Sequence, residues 1–343
     1  MVTAREVAQR AGVSAMTVSN VINGRDGKVS EATVARVRAA IEELGYIPNA
    51  QARSLAGAES RVLALVYQAV PQRAALAAPY ESLFVGACEK AARAGGYVLM
   101  LCGTSDVQEM VSQLRAWRVD GAIVMATTRI RPVDFMERAG IPSVFIDVYG
   151  DGLAGSSVNI DDRQGARLAG EQMARAGHRC ALFVGPSPSG SAVVRERLEG
   201  FRAGFGQGDG AVGTVRFGMA DVTFEDGVAV GVRLANQLRE SGGRQVPTAV
   251  FASGDILAIG VIAGLRKGGV RVPQEMSVVG FDGIEAATYL DPPLTTIAQP
   301  VEEKARRAVA QLVSQLRGEG GVEDIVLPVS WREGGTLGPA RVD

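Results

Sequence analysis

The sequence predicts a protein in two parts: an all-α helix-turn-helix headpiece, and a larger α/β region in which two doubly wound parallel sheets form two lobes. Three observations predict this architecture. Three short amphipathic helical patterns fall within the first fifty residues, and the remainder alternates apolar strands with amphipathic helices. The 43 glycines in 343 residues supply the many tight turns that such alternation requires. A chain of this length also exceeds one ordinary domain.

Composition narrows the class of protein. With 47% hydrophobic and 21% charged residues, the chain resembles an ordinary soluble globular protein. The formal net charge of -1 means that any contact with nucleic acid depends on a local basic patch. No signal-peptide pattern opens the chain, no window approaches ~18 apolar residues, and the three cysteines form no C-x-x-C pair. We therefore expect a cytoplasmic protein with no membrane contact.

Two short helices open the chain. Thr3 and Glu6 have the spacing of a capping box, which begins the first helix. Gly12 ends that helix, and Ser14 caps a second one that runs to about Asn23. Two short helices joined by one glycine-containing turn predict a helix-turn-helix.

A third helix completes a small core. It begins at Ser30, ends at Gly45 and carries its apolar residues on one face, namely Val34, Val37, Ile41 and Leu44. Residues 1–57 hold seven basic side chains against five acidic ones, a local excess of about two positive charges. From these features alone, the module is either a DNA reader or a structural three-helix bundle.

Three stretches of sequence carry a resemblance that favours the DNA reader. Residues 7–23 (VAQRAGVSAMTVSNVIN), 29–33 (VSEAT) and 44–55 (LGYIPNAQARSL) resemble the headpiece of the lactose/galactose-repressor (LacI/GalR) family. The match has no gaps over most of the first sixty residues. The resemblance implies a sequence-specific DNA-binding transcriptional regulator, and more specifically a repressor.

The resemblance also places the second helix in the major groove of double-stranded DNA. Ala15 and Met16 then face base edges, and Asn20 stands where many family members carry arginine. We expect Met16 to meet a thymine methyl group and Asn20 an adenine. A phosphate contact or a helix-surface position is the alternative for Asn20. The residues expected to contact DNA are Thr3, Ser14, Ala15, Met16, Thr17, Ser19, Asn20, Asn23, Asn49, Ala52, Arg53 and Leu55.

A further short helix is predicted at residues 48–57 (PNAQARSLAG), and it is too short to be stable alone in water. In the family that the headpiece resembles, this hinge helix folds when two chains pair over DNA, and a leucine wedges into the minor groove. Leu55 matches that leucine, and Ala52 lies one turn earlier on the same face. A plain linker is the alternative.

Strands and helices alternate from residue 61 onward. Strands are predicted at 62–66, 97–102, 121–126, 144–147, 180–184, 212–217, 249–252 and 278–281, and helices at 82–94, 107–117, 163–176, 192–205 and 301–316. Strands that are nearly continuous apolar runs predict parallel sheets covered on both faces.

Four motifs are similar to the periplasmic-sugar-binding-protein fold of the same family: residues 176–178 (AGH), 197–201 (RLEGF), 278–282 (VVGFD) and 289–297 (YLDPPLTTI). The resemblance implies that the chain crosses between the lobes near residues 160, 290 and 320. The predicted domains are a headpiece (1–46), a hinge helix and linker (47–59), and an effector-binding and dimerisation domain (60–343). The first lobe then covers about 60–160 and 291–320, and the second about 161–290 and 321–343.

Ligands of such folds bind between the lobes, at the carboxyl ends of strands. Arg197, Asp255 and Asp282 match positions that contact the effector in family members, and Asp147 and Tyr80 match more weakly. Arginine and aspartate suit a hydroxyl-rich ligand because charge-assisted hydrogen bonds are strong and directional. A purine, a sugar or a sugar phosphate is compatible with these residues, and salt bridges between the lobes without a ligand are the alternative.

Other chemistry has little support. His178 is the single histidine, which disfavours a metal cluster or a Ser-His-Asp arrangement, and no phosphate-binding loop is present. We expect no enzyme activity, no catalytic residues, no metal and no cofactor. The alternative function is a solute-binding protein without a regulatory role, which would carry a signal peptide and no headpiece.

The expected assembly is a homodimer, because a two-fold protein reads a palindromic operator with one headpiece per half-site. Its expected partners are double-stranded DNA and a small-molecule effector. The tail after Trp331 contains no heptads, so no coiled-coil segment for tetramer formation is predicted.

Overall fold

The computed structural model describes residues 2–22, 27, 29–46, 59–69, 78–104, 106–125, 132–149, 155–206, 213–241 and 246–341. The chain divides into two compact units, residues 1–60 and residues 61–343. No helix in these described ranges is long and apolar enough to cross a membrane.

The first unit contains three helices, α1 (Ala4–Ala11), α2 (Ala15–Ile22) and α3 (Glu31–Leu44). The capping box at the start of α1 is confirmed, since the Thr3 hydroxyl accepts from Glu6 N and the Glu6 carboxylate accepts from Thr3 N. Gly12 ends α1 in the left-handed conformation, with φ 63°. The Ser14 hydroxyl accepts from Thr17 N at 3.1 Å and so caps α2. The predicted pair of capped helices around a glycine turn is therefore present.

The small core of this unit comes from one face of each helix. Its buried members are Val7, Ala8, Ala11, Val18, Val21, Val37 and Ala40. Val34, Ile41 and Leu44 of α3 pack against this cluster, as their spacing predicts. The opposite faces of the helices are left to polar and exposed side chains.

The second unit has two lobes, each built on a six-stranded sheet. The chain elements up to residue 160 are β1 (Val62–Gln68), α4 (Pro79–Ala94), β2 (Val98–Thr104), α5 (Val107–Ala116), β3 (Gly121–Met125), α6 (Pro132–Ala139), β4 (Ser143–Ile146) and β5 (Ser156–Ile160). Then follow α7 (Asp162–Arg175), β6 (Cys180–Gly185), α8 (Ala192–Phe205), β7 (Thr214–Met219), α9 (Phe224–Ser241), β8 (Ala249–Ala252), α10 (Asp255–Lys267) and β9 (Ser277–Asp282). The last elements are a 3-10 turn (Glu285–Tyr289), β10 (Thr295–Ala298), α11 (Val301–Leu316), β11 (Asp324–Leu327) and β12 (Ser330–Arg332).

The first sheet has the strand order β11-β5-β4-β3-β1-β2, and all of its neighbouring strands are parallel. The second has the order β12-β10-β9-β8-β6-β7, and only β12 is antiparallel to its neighbour. The predicted fold class, with two doubly wound parallel sheets, is confirmed. One buried apolar cluster runs through both lobes, from Phe84 and Leu65 in the first to Phe201 and Phe281 in the second.

Two of the three predicted lobe crossings need correction. β10 pairs with β9 in the second sheet, so the chain leaves the second lobe at residues 299–300 and not near 290. β11 pairs with β5 in the first sheet, so the last crossing falls at 328–329 and not near 320. The strands that decide these positions contain only three or four residues each, too few for a readable apolar pattern.

Candidate functional site

The carboxyl ends of the strands of both lobes face a cavity of about 240 Å³. The first lobe contributes Tyr80 and Asp147, which follow β1 and β4, together with Met125 at the end of β3. The second lobe contributes Arg197 from α8, Ser253 after β8 and Asp282 at the end of β9. This is the crevice in which α/β folds of this type bind ligands. Four of the five predicted site residues, namely Tyr80, Asp147, Arg197 and Asp282, line it.

A buried lysine organises the side of the cavity that belongs to the first lobe. Lys304 of α11 is fully buried, and its Nζ donates to an Asp147 carboxylate oxygen and, at 3.0 Å, to the Tyr80 hydroxyl. Tyr80 donates in turn to the second Asp147 oxygen at 3.0 Å. Burial, and then the nearby carboxylates of Asp147 and Asp282, raise the pKa of Tyr80 well above its ordinary value. Tyr80 therefore stays a protonated donor at neutral pH.

An arginine organises the side that belongs to the second lobe. The Arg197 Nε lies 2.6 Å from Asp162 Oδ1, and its NH1 group donates to the backbone oxygen of Ser253. Arg197 also lies 3.6 Å from Asp282 Oδ1 and places its guanidinium 3.6 Å from the centre of the Phe281 ring. Burial alone would lower the pKa of Arg197, but the carboxylates of Asp162 and Asp282 raise it. Arg197 is thus permanently charged, and its Nε and NH1 groups are engaged by Asp162 and Ser253.

Polar links join one lobe to the other around the cavity. The Tyr149 hydroxyl, just after β4, donates to Asp162 at the start of α7. Gln299, in the crossing between β10 and α11, donates to Asp282 Oδ1 at 2.8 Å and accepts from Lys304 at 3.5 Å. Polar groups of both lobes therefore belong to one continuous network around the cavity.

Asp255 occupies a different place from the other predicted residues. Its side chain is fully buried and accepts from the Thr296 hydroxyl at 2.5 Å and from Ile284 N at 2.9 Å. It is not among the residues that line the cavity. Asp255 stands at the first position of α10, where its carboxylate supports the loop that follows Asp282. Its contact with an effector stays a prediction.

The backbone is strained at two of the three acidic residues that line the cavity, Asp147 and Asp282. Asp147 has φ 59° and Asp282 has φ 115°, both in a region that side chains other than glycine rarely adopt. Strain of this kind costs on the order of 1–3 kcal/mol and concentrates at ligand-binding positions. The surrounding structure therefore keeps both carboxylates in place although their backbone conformation is unfavourable in free energy.

The acidic groups are also hard to ionise. Burial raises the pKa of Asp282 to about 7 and that of Asp255 to about 8, and burial likewise raises the pKa of Asp162. For Asp255 the neighbouring Asp282 raises it further, whereas for Asp282 and Asp162 the charge of Arg197 works in the opposite direction. At neutral pH Asp255 and Asp282 are therefore partly protonated, and a protonated carboxyl group donates a hydrogen bond.

Sequence reasoning missed four polar residues of this network: Tyr149, Asp162, Gln299 and Lys304. One of them left a signal. Val301, Ala305, Ala308 and Leu312 form the buried face of α11, and residue 304 lies on that same face, so a lysine there is out of pattern. Ser253, also missed, has a buried hydroxyl with no hydrogen-bond partner among the described residues.

The predicted DNA-contacting face lies on the first unit. Thr3, Ser14 and Ala15 are exposed, and the Met16 side chain is 70% exposed although it is apolar. Thr17, Ser19 and Asn20 are half-buried. The start of α2 therefore presents an accessible apolar side chain beside hydroxyl groups. The other predicted contacts, Asn23, Asn49, Ala52, Arg53 and Leu55, lie outside the described residues.

A helix-turn-helix unit on the same chain as a two-lobed domain with a charged cleft defines a ligand-responsive DNA-binding protein. Residues 3–49 match the family described as bacterial regulatory proteins, lacI family, and residues 171–337 match a periplasmic binding protein-like domain. The ribose operon repressor of Escherichia coli (strain K12) is 36% identical over 331 residues, which cover 92% of this chain and 93% of that protein.

Solved structures agree with these matches. The lac repressor dimer bound to operator and the anti-inducer ONPF has a TM-score of 0.83 and 28% identity, covering 98% of this chain and 99% of that one. The complex of the transcriptional regulator CelR with cellobiose has a TM-score of 0.69 and 30% identity, covering 98% of this chain and 100% of that one. The chain belongs to the lacI family of bacterial regulatory proteins, and it is a DNA-binding transcriptional regulator.

Proposed function

We propose that this chain is a homodimeric repressor of the cytoplasm that binds a palindromic operator and changes its operator affinity when a small molecule occupies the cleft between the lobes. The observation that carries the proposal is the cleft itself, where strained carboxylates and two buried cations surround a cavity. Relatives are named as repressors, and one is a dimer on its operator. No enzyme activity is part of the proposal.

In this proposal the start of α2 reads bases in the major groove. Met16 meets a thymine methyl group, and Asn20 forms the bidentate contact with adenine that its amide geometry allows. Thr3, Ser14, Thr17, Ser19 and Asn23 add polar contacts that fix the headpiece on the phosphate backbone. Asn49, Ala52, Arg53 and Leu55 belong to the hinge segment, where Leu55 wedges between base steps of the minor groove.

The links between the lobes explain how the cleft can influence DNA binding. A ligand that bonds to Asp147 on one side and to Arg197 or Asp282 on the other must alter the Tyr149–Asp162 and Gln299–Asp282 links that now join the lobes. A rotation of one lobe against the other then moves the start of the first lobe, where the hinge segment joins it. Such coupling between sites typically changes affinity by ~5–150-fold.

The test is the response of operator binding to a small-molecule extract of the source cells in an Arg197→Lys variant. Lysine keeps the positive charge but loses the planar fork that spans Asp162 and Ser253. We expect the variant to bind operator DNA as the wild type does, and to lose most of its response to the extract. Fluorescence anisotropy of labelled operator at one fixed salt concentration measures both.

Arg163→Lys is the matched control, because Arg163 lies on the neighbouring helix α7 and pairs with Glu196 and Glu199 at the surface. We expect operator binding by the Arg163→Lys variant to respond to the extract as it does in the wild type. An Arg197→Lys variant with a full response would exclude the cleft as the effector site. If neither protein binds operator in any condition, the regulatory proposal itself fails.

A further inference from the structure

We propose that Arg118, on the edge of the first lobe opposite the cleft, binds a phosphate group of the operator DNA that the headpiece reads. This contact deepens the proposed function and rests on it, because each chain of the proposed homodimer supplies one such arginine. Neighbouring strands of the first sheet are all parallel, so their amino ends share one edge. The cavity lies at the carboxyl ends, and Arg118 precedes β3 at the amino ends.

Arg118 occupies a turn that glycine occupies elsewhere in this chain. Seven helices, α1, α3, α4, α5, α7, α10 and α11, end with a residue of positive φ, after which a backbone N–H donates to the carbonyl oxygen five residues earlier. In six of them the residue of positive φ is glycine, with φ between 58° and 91°, namely Gly12, Gly45, Gly96, Gly177, Gly269 and Gly318. At the end of α5 it is Arg118, with φ 50°, and Val119 N donates to Leu114 O at 3.2 Å.

An arginine at this turn is unfavourable for folding. Glycine is common there because a Cβ is disfavoured in the left-handed region. Backbone strain of this kind is concentrated at functional positions, where the side chain has a role that glycine cannot fill. The Arg118 side chain therefore indicates a function on this edge of the lobe.

Arg118 has no structural partner that explains its side chain. It is exposed, and its guanidinium has no hydrogen-bond or ion-pair partner among the described residues. Helix C-termini favour a nearby cation, but Arg115 in the last turn of α5 already provides one. Arg115 also ties α5 to α6, since its NH2 group donates to the Arg138 backbone oxygen at 2.6 Å. The charge of Arg118 is thus available to an external anion.

The surrounding edge is also basic. β3 lies between β1 and β4 in the sheet, so the segments that precede these three strands are neighbours. Asp120 on this edge is engaged, because its carboxylate accepts from Arg61 N at 2.8 Å. Among the described residues here, the exposed arginines outnumber the exposed carboxylates: Arg61, Arg115, Arg118 and Arg138 against Glu59 and Glu137. A local excess of arginine attracts the phosphate backbone of DNA.

Chain connectivity identifies the anion as DNA. The chain enters β1 at this same edge, and residues 47–58 connect it to the headpiece. Twelve residues span at most about 45 Å even when fully extended, which is close to one helical turn of duplex, ~34–36 Å. Because duplex DNA carries a phosphate charge about every 1.7 Å along its axis, DNA held by the headpiece presents phosphates within this span. The planar fork of arginine matches a phosphate well.

The salt dependence of operator affinity in an Arg118→Gly variant tests the contact. Glycine removes the charge and suits the turn, so the urea midpoint of the variant is expected to equal or exceed that of the wild type. Each lost phosphate contact lowers the slope of log K against log salt by about 0.9, so two contacts per dimer lower it by about 2. The advantage of the wild type in affinity should then shrink about tenfold between roughly 50 and roughly 200 mM KCl. Fluorescence anisotropy of labelled operator measures the slope.

A second readout is the independence of this effect from base sequence. A phosphate contact carries no sequence information. Arg118→Gly is therefore expected to weaken binding by the same factor on the operator and on duplexes with one changed base pair in each half-site. A factor that differs more than about tenfold between these duplexes contradicts a phosphate contact.

Two controls separate the contact from general effects of charge and packing. Arg118→Lys keeps the positive charge and is expected to retain most of the slope. Arg202→Gln removes an exposed arginine of α8 in the second lobe and is expected to leave the slope unchanged. A slope that changes by less than about 0.5 in Arg118→Gly overturns the proposal, even if affinity falls, because a packing role would lower affinity without releasing fewer ions. An equal change in Arg202→Gln also overturns it.

The same samples distinguish this contact from the proposed function. A wild type that binds a palindromic operator, with an unchanged slope in Arg118→Gly, contradicts the contact and leaves the proposed function standing. A shallower slope in that variant, with an operator affinity of the wild type that does not respond to a metabolite extract, supports the contact and contradicts the effector-controlled part of the proposed function. A wild type that binds no operator contradicts both.

Discussion

The buried His178 side chain makes hydrogen bonds to three separate segments of the second lobe. Its Nδ1 faces the Thr248 hydroxyl at 2.8 Å, and its Nε2 faces the Ser277 hydroxyl and the backbone oxygen of Gly338, both at 3.1 Å. It thereby ties β6, β9 and the C-terminal segment of the second lobe together. Burial lowers the pKa of His178 to about 4, so the folded protein holds it neutral.

The lowered pKa of His178 makes the free energy of unfolding depend on pH. Between about 6.5, the pKa of an unfolded histidine, and about 4, the unfolded chain binds a proton that the folded chain does not. The contribution of His178 to stability is therefore complete above pH ~6.5 and is lost as the pH falls toward about 4.

His178→Gln removes that dependence. Relative to the variant, the wild type is expected to lose about 2 kcal/mol of unfolding free energy between roughly pH 7.5 and roughly pH 5. Urea titrations at both pH values measure the difference, in which the opposite titration of Asp255 and Asp282 cancels because both proteins carry those residues. A difference that does not change with pH would show that His178 is not held neutral in the fold.

In the cleft, the sequence predicted which residues line the cavity better than it predicted their hydrogen-bond partners. Arg197, Asp147, Asp282 and Tyr80 were predicted from the resemblance, and all four line the cavity. Asp162 was not among the predicted site residues, yet its Oδ1 lies 2.6 Å from Arg197 Nε. A contact between residues 35 positions apart depends on how α7 and α8 pack, which no local pattern contains.

Close packing of neighbouring helices explains why glycine occupies several positions in them. In α8, a Cβ at Gly200 or Gly204 would overlap the backbone oxygen of Arg163 or Arg167 in α7. The pair α9 and α10 repeats the arrangement, with Gly231 against the backbone around Val261. These helices approach so closely that their backbones touch where side chains normally separate them.

Gly200→Ala is therefore expected to destabilise the protein by about 1–3 kcal/mol, because the added methyl group forces the two backbones apart. Gly86→Ala is the matched control. It lies in α4, and its added Cβ would meet no atom within 4 Å, so it is expected to be neutral or to stabilise by about 0.5–1 kcal/mol through helix propensity. Equilibrium unfolding in urea measures both. Equal effects of the two substitutions would rule out close packing as the reason for Gly200.

Most elements with a clear apolar pattern were predicted, but the helices α6, α9 and α10 were missed, and so was the buried polar strand β5. β5 is buried along its whole length although Ser156, Ser157 and Asn159 occupy three of its five positions. Their partners come from elsewhere: Asp324 bonds to Ser157 and Asn159, and Gln311 to Ser156. The edge strand β11 and helix α11 supply these groups, so the strand forms through tertiary contacts that its own sequence does not show.

For the whole molecule, the two-part organisation followed directly from the sequence, because the headpiece and the α/β region have different periodicities. The lobe crossings did not, since they depend on strands of three or four residues. The cleft forms where those crossings bring Asp147, Lys304, Arg197 and Asp282 together. In this protein, we propose, a headpiece that reads DNA is combined with a cleft that senses a small molecule.

Selection of bound duplexes from a random DNA library, with the full-length protein at one fixed salt concentration, tests that claim most directly. Fixed salt is essential because phosphate contacts make DNA affinity steeply dependent on it. We expect enrichment of a palindrome with two half-sites, and a changed half-site in Asn20→Arg but not in Ala39→Arg, which adds the same charge at an exposed position of α3. Failure to enrich any palindrome, with and without a metabolite extract, would contradict the account.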